Sequence, residues 1–276
     1  MDYGRSPTGL SGAVLGLALT LAASGAATAA TAPVSARARA AAALPDWSGV
    51  WARSGPNVFD PATVDPPRGG AGNPGVREHP PYNAAWEAKY LANIERVKQD
   101  TLPDPLNSCL LRGVPGMMSL PDQYEFTVTP EQVWIFAENG AQVRRIYTDG
   151  RSHPKGAALV PTFTGNSVGR WEGDTLVVNT VGLRDDMILD RTGAILSTKA
   201  TVDERIRMTD HDTMEDVIVM TDPEALSRPW TVTRLFKRQS ADAQLFDYAC
   251  AENNRNPVQE NGNVALTGPD GKRIDN

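Results

Sequence analysis

From Tyr124 onward the chain runs in short stretches where apolar and polar residues alternate, broken by turn-forming pairs, and this pattern restricts it to sheet folds. "YEFTVTPEQVWIFAENGAQVRRIYTDG" contains three such stretches, and the Asn139-Gly140 pair within it is a hairpin signal because that turn requires positive φ. "SVGRWEGDTLVVNTVGL" reads as strand, turn at Gly173-Asp174, strand. "ATVDERIRMTDHDTMEDVIVMTD" reads as strand, turn around Asp210 to Thr213, strand, and "PWTVTRLFKRQ" and "QLFDYAC" add two more. So many short strands joined by tight turns predict a mainly β domain, an antiparallel meander closed into a barrel or folded as a sandwich. No Gly-rich loop follows a strand, so nucleotide-binding α/β folds find no support.

One helix precedes the strands. In "YNAAWEAKYLANIERVKQD" the residues Trp86, Tyr90, Ile94 and Val97 recur at spacings of three and four, which predicts an amphipathic helix near 83–100 with a core-packing stripe. Arg5 followed by "GAVLGLALTLAASGA" and small residues at Ala27 and Ala29 reads as a cleavable secretory leader over 1–29, too short to be retained as a membrane span. A tether over 30–45 and a single β-rich domain over 46–276 follow, and the protein is expected in the periplasm or secreted. The net charge of −6 is unchanged by loss of the leader, which removes one Asp and one Arg, and with a pI near 5.2 it argues against nucleic acid as a partner. The oligomeric state is not encoded in any pattern. In an oxidising compartment the two cysteines, Cys109 and Cys250, are expected to pair.

Candidate chemistry gathers at "RRIYTDGRSHP", residues 144 to 154. Pro154 restrains the backbone of His153, so a fixed imidazole would stand near Asp149 and Arg151. His153 would act as acid or base, Asp149 would orient it, Arg151 would hold a developing oxyanion, and Tyr147 would donate or provide a ring platform. Glu172, at the next hairpin turn, would join if both turns meet at a barrel mouth. The plainer reading is a charged turn in which Asp149 and Arg151 pair at the surface.

Tyr124, Trp134 and Tyr147 would form an aromatic wall for a ligand, with Trp171 nearby. Alternation places Arg234 among Trp230, Val232 and Phe236, and Glu204 among Val202, Ile206 and Met208. Each either finds a partner across the sheet or lines a polar pocket. Ser152 and Ser167 lack the context of a nucleophile elbow. The three histidines, His79, His153 and His211, have no metal-ligand spacing, and the acid-rich "TDHDTMED" falls at a turn, so neither a metal nor a cofactor is expected.

"PDWSGVW", "CLLRGVPGMM", "RRIYTDGRSHP", "GNSVGRWEGDTLVVNT" and "YACAENN", in this order from Pro45 to Asn254, resemble a family of secreted bacterial proteins without an assigned activity. That family often carries Cys-His-Glu-Gly-Asn at the second cysteine, whereas here Cys250 is followed by Ala251, Glu252, Asn253 and Asn254. The departure puts in doubt a histidine-based role there. "GVW" at 49–51 also resembles the opening of lipocalin-like barrels, which implies an arginine late in the chain, Arg234 or Arg238, packed on Trp51.

These readings converge on a barrel that performs acid/base chemistry on a small, partly apolar or aromatic molecule, as a lyase, isomerase or hydrolase. Two alternatives remain open: a non-catalytic lipocalin-like carrier, expected to have an apolar pocket with His153 and Arg151 outside it, and an envelope interaction protein with a filled interior.

Overall fold

A computed structural model describes residues 35–55, 58–59, 79–99, 101–102, 105–185 and 187–246. Nine strands form a closed barrel in sequence order: β1 (Val50–Ser54), β2 (Gln123–Val128), β3 (Gln132–Ala137), β4 (Gln142–Tyr147), β5 (Asn166–Glu172), β6 (Thr175–Val181), β7 (Thr201–Asp210), β8 (Thr213–Thr221) and β9 (Trp230–Arg238). β1 closes the barrel by pairing with both β2 and β9, which leaves neither end of the sheet as a free edge and excludes the sandwich.

The antiparallel expectation fails at one seam. β5 runs parallel to β4, paired through Ile146 with Ser167 and Tyr147 with Val168. Residues 148–165 form a connection long enough to return the chain to the start of β4, so β5 sets out in the same direction. The turns at 173–174 and 211–212 fall where the sequence puts them, with Glu172 paired to Thr175 and Asp210 to Thr213. Asn139-Gly140 also lies in a hairpin, but in a longer loop between the Ala137–Gln142 pair. A 3-10 turn over Asn139–Ala141 is completed there by positive φ at Gly140 and Ala141.

α2 (Ala84–Lys98) begins at Asn83, whose side chain accepts from the Trp86 N–H at 3.2 Å, and it buries Tyr90 and Ile94 from the predicted stripe. A short helix, α1 (Ala36–Ala42), occupies part of the predicted tether and buries none of its side chains. Ala and Arg favour helix without supplying an apolar face. No helix among the described residues is long and apolar enough to cross a membrane. Cys250 and the run "QLFDYAC" beyond Phe246 lie outside the described residues.

Strand registers define two barrel ends. At one, Trp47 packs edge-on against Phe126 (6.0 Å between ring centres) and Trp171 (5.2 Å), closing the interior with aromatic surface. At the other, the segment Gly113–Leu120 lies over the strands: the Gly113 N–H donates to Gln142 Oε1 at 3.1 Å, and the Tyr124 hydroxyl donates to Met117 O at 2.6 Å. Only glycine fits at 113, because a Cβ there would stand 2.2 Å from the Phe163 carbonyl oxygen. α2 sits over the same end, joined to the loop before β7 by Tyr90–Thr192 (3.1 Å) and Asn93–Gly193 (2.9 Å) hydrogen bonds.

Candidate functional site

The turn after β4 is a surface feature. Asp149 and Arg151 are exposed and bind each other at two points, Arg151 Nε to Asp149 Oδ1 at 2.9 Å and Nη2 to Oδ2 at 2.6 Å. This pairing holds the Asp149 carboxyl below, and the Arg151 guanidinium above, their ordinary values. Arg151 also stacks on Tyr147 at 3.9 Å.

His153 receives neither an orienting contact from Asp149 nor one from Glu172. Its ring lies between two asparagines, with Nδ1 2.7 Å from Asn166 Oδ1 and Nε2 2.9 Å from Asn179 Oδ1. Asn166 and Asn179 alternate with the buried Ser167 and Thr180, so they face outward and hold His153 on the outer wall of the barrel. Glu172 is bound by Arg170 (2.6 Å) and Arg205 (3.0 Å) at the exposed β5–β6 turn, and these two contacts lower its pKa. The expected meeting of the two turns at a common hollow is therefore corrected: each carboxylate is taken by a local arginine, and the imidazole is outside.

The expected aromatic wall is divided by the same pleat. Tyr124 faces inward and is fully buried, and burial raises its phenol well above the ordinary value. Trp134, between the inward Val133 and Ile135, faces outward with the Arg145 guanidinium 4.1 Å from its ring centre, and Tyr147 lies on that outer face as well. Trp171 is half-buried and belongs to the closed end beside Trp47.

Arg234 and Glu204 are buried, as the alternation predicts, but they are not each other's partners. They belong to a polar belt to which six consecutive strands contribute one inward residue each: Arg144 on β4, Ser167 on β5, Thr180 on β6, Glu204 on β7, Asp216 on β8 and Arg234 on β9. Arg144 grips Glu204 at two points, Nη1 to Oε1 at 2.7 Å and Nη2 to Oε2. It also donates to Thr180 Oγ1 at 2.9 Å and Ser167 Oγ at 3.2 Å, and those hydroxyls bond each other at 2.8 Å. Burial opposes the Arg144 charge, but the adjacent Glu204 more than compensates and raises its pKa. Arg234 donates from Nε to Ser119 Oγ at 2.8 Å and from Nη1 to the Thr233 carbonyl at 2.9 Å, and it stacks on Phe59 at 4.7 Å.

Asp216 is different. It is completely buried, stands opposite Arg234 in the β8–β9 register, and no donor reaches either carboxylate oxygen. Burial raises its pKa well above the usual carboxylate value, and Glu204 raises it further through like charge and as an acceptor for a proton on Asp216. Arg144 and Arg234 pull the other way without prevailing.

Sequence reasoning missed Arg144 and Asp216, although both carried a signal. Asp216 alternates with Met214, Ile218 and Met220, the same pattern that exposed Glu204, and Arg144 alternates with Ile146. Among the described residues no group of three or more His, Cys, Asp or Glu side chains is arranged to hold a metal ion. No protein-family model matches the chain, and no curated protein matches it either.

Proposed function

We propose that the protein is exported and that its barrel takes a small, partly apolar or aromatic molecule into the interior, where belt side chains act on it by acid/base chemistry. The observation that carries this reading is Asp216: a carboxyl fully removed from water, without a hydrogen-bond donor, beside a second carboxyl and two guanidiniums. Groups arranged this way cost stability, and perturbed carboxyls with specific charged neighbours are concentrated at functional sites. Apolar neighbours such as Ile206, Ile218 and Phe236 would contact the body of the molecule. Export draws on the leader-like sequence over 1–29, and a Cys109–Cys250 disulfide accords with it, no free thiol being found among the described residues.

A carrier without chemistry is the second reading. It is favoured by the position of Arg151 and His153 outside the barrel, where that reading expects them, while the polar belt departs from the almost wholly apolar interior it also expects. Native mass spectrometry of the protein purified from a periplasm tests both readings together. A small molecule retained by the wild type and by His153→Ala, but not by Asp216→Leu, is the expected result. Retention that depends on His153 and not on Asp216 overturns the interior site, and turnover of the identified molecule separates enzyme from carrier.

A further inference from the structure

A cavity of about 660 Å³ lies between the segment 41–49 and β2, and none of the six belt residues lines it. Half-buried Leu44 and Pro45 bound it on the side of the segment. Toward the barrel it is bounded by Trp47 and Phe126, whose rings stand nearly perpendicular with 6.0 Å between their centres. A space of that size accepts a small organic molecule. Its charge is one-sided: Asp46 and Glu125 line it, and among the described residues no lysine, arginine or histidine does. Asp46 accepts from the Ser48 N–H at 2.9 Å, and hydrogen bonds from Ser48 hold its carboxyl below the ordinary value, with the Arg238 charge adding to the effect. Arg238 itself donates to the main-chain oxygens of Asp46 and Ser48.

Glu125 has no such compensation. It stands between Val50 and Phe136 in the sheet register, and no described residue engages its carboxylate through a hydrogen bond or an ion pair. Arg37, on α1, is taken by Glu131 at 3.2 Å. An anionic ligand would be repelled by both carboxylates, and a wholly apolar one would strip water from Glu125 without replacing it. An ammonium group on an apolar body answers both conditions, because the head donates to a carboxylate while the body lies against rings and aliphatic side chains. We propose that this cavity binds a small organic ammonium, with Glu125 as the carboxylate that receives the charge and Trp47, Phe126, Leu44 and Pro45 bounding the apolar body. The site is separate from the barrel interior proposed above, so either reading stands if the other fails.

Titration of the full chain with cyclohexylammonium, cyclohexanol and cyclohexanecarboxylate, followed by two-dimensional NMR, tests the assignment, since the three share one apolar ring and differ in charge. Cyclohexylammonium is expected to bind about tenfold tighter than cyclohexanol, the factor supplied by one charge-assisted hydrogen bond, and cyclohexanecarboxylate not to bind. Glu125 is exposed, so Glu125→Gln is expected to fold and to erase that tenfold advantage. Glu95→Gln, the same loss of charge at an exposed position on α2, is expected to leave it unchanged. Thr127→Trp, which fills the cavity from β2 with a residue favoured in strands, is expected to abolish binding. Equal affinity for the ammonium and the alcohol, an equal loss in Glu125→Gln and Glu95→Gln, binding that survives Thr127→Trp, or no binding of cyclohexylammonium overturns the proposal.

Discussion

Arg144 and Glu204, on strands β4 and β7, hold each other through a two-point guanidinium–carboxylate contact from which water is wholly excluded. Removing one member leaves the other charge buried and unanswered. Glu204→Leu or Arg144→Met alone is therefore expected to cost about 3–5 kcal/mol, while the double variant recovers most of that loss. Urea denaturation of the four proteins checks this. A single variant as stable as wild type would show that the pair is not buried as described.

Asp122, immediately before β2, is partly buried, and burial pushes its carboxyl up to about 6, with Glu138 adding to the shift and Asn139 and Arg53 opposing it. Between the unfolded value of 3.8 and about 6 the folded chain keeps a proton that the unfolded chain has lost. Its contribution to stability therefore falls as pH rises through that window and levels off above it. Asp216 acts in the same direction, so the difference between wild type and Asp122→Asn isolates Asp122. That difference is expected to favour the variant increasingly from pH 4 to pH 6. A constant difference would contradict the shift.

Arg238 lies over the Trp51 ring with 4.3 Å between guanidinium carbon and ring centre, and donates to the main-chain oxygens of Ser48 and His211. It ties the end of β9 to the entry of β1 where the barrel closes. Arg238→Ala is expected to lower stability by about 2 kcal/mol, from lost stacking and lost hydrogen bonds to carbonyls. Arg238→Lys should restore little, since an ammonium cannot stack and fork at once. Thermal denaturation that finds lysine equivalent would reject this role.

His153→Ala removes hydrogen bonds to Asn166 and Asn179 on the outer wall and leaves the Asp149–Arg151 pair in place. A loss of about 1 kcal/mol in stability is expected, with ligand retention unchanged. Loss of retention in a protein that remains folded would return the site to that turn.

Much of the barrel was legible because alternation and turn residues are local. The Gly173-Asp174 and Asp210–Thr213 turns, the helix stripe through Tyr90 and Ile94, and the inward placement of Glu204 and Arg234 all follow from short-range pattern, whereas an arginine on Trp51 was implied only by the lipocalin-like opening, which left Arg234 and Arg238 open; it is Arg238. The parallel β4–β5 seam was not legible, because direction after a long connection is decided by which strands close the barrel. The site was misplaced for a related reason. Residues 149, 151 and 153 are close in sequence, yet Asp149 and Arg151 satisfy each other at the surface while His153 turns to two outward asparagines. The belt, by contrast, draws one residue from each of six strands. Arg144 was hidden by its neighbour Arg145, and Asp216 by the acid-rich turn just before it.

The most direct test locates a ligand without assuming a reaction. Crystals of the protein soaked with 4-bromoacetophenone should give an anomalous bromine peak inside the barrel, beside the polar belt that includes Asp216. A bromine found only on the outer wall beside His153, or an interior that stays closed to the probe while it binds elsewhere, would contradict the account.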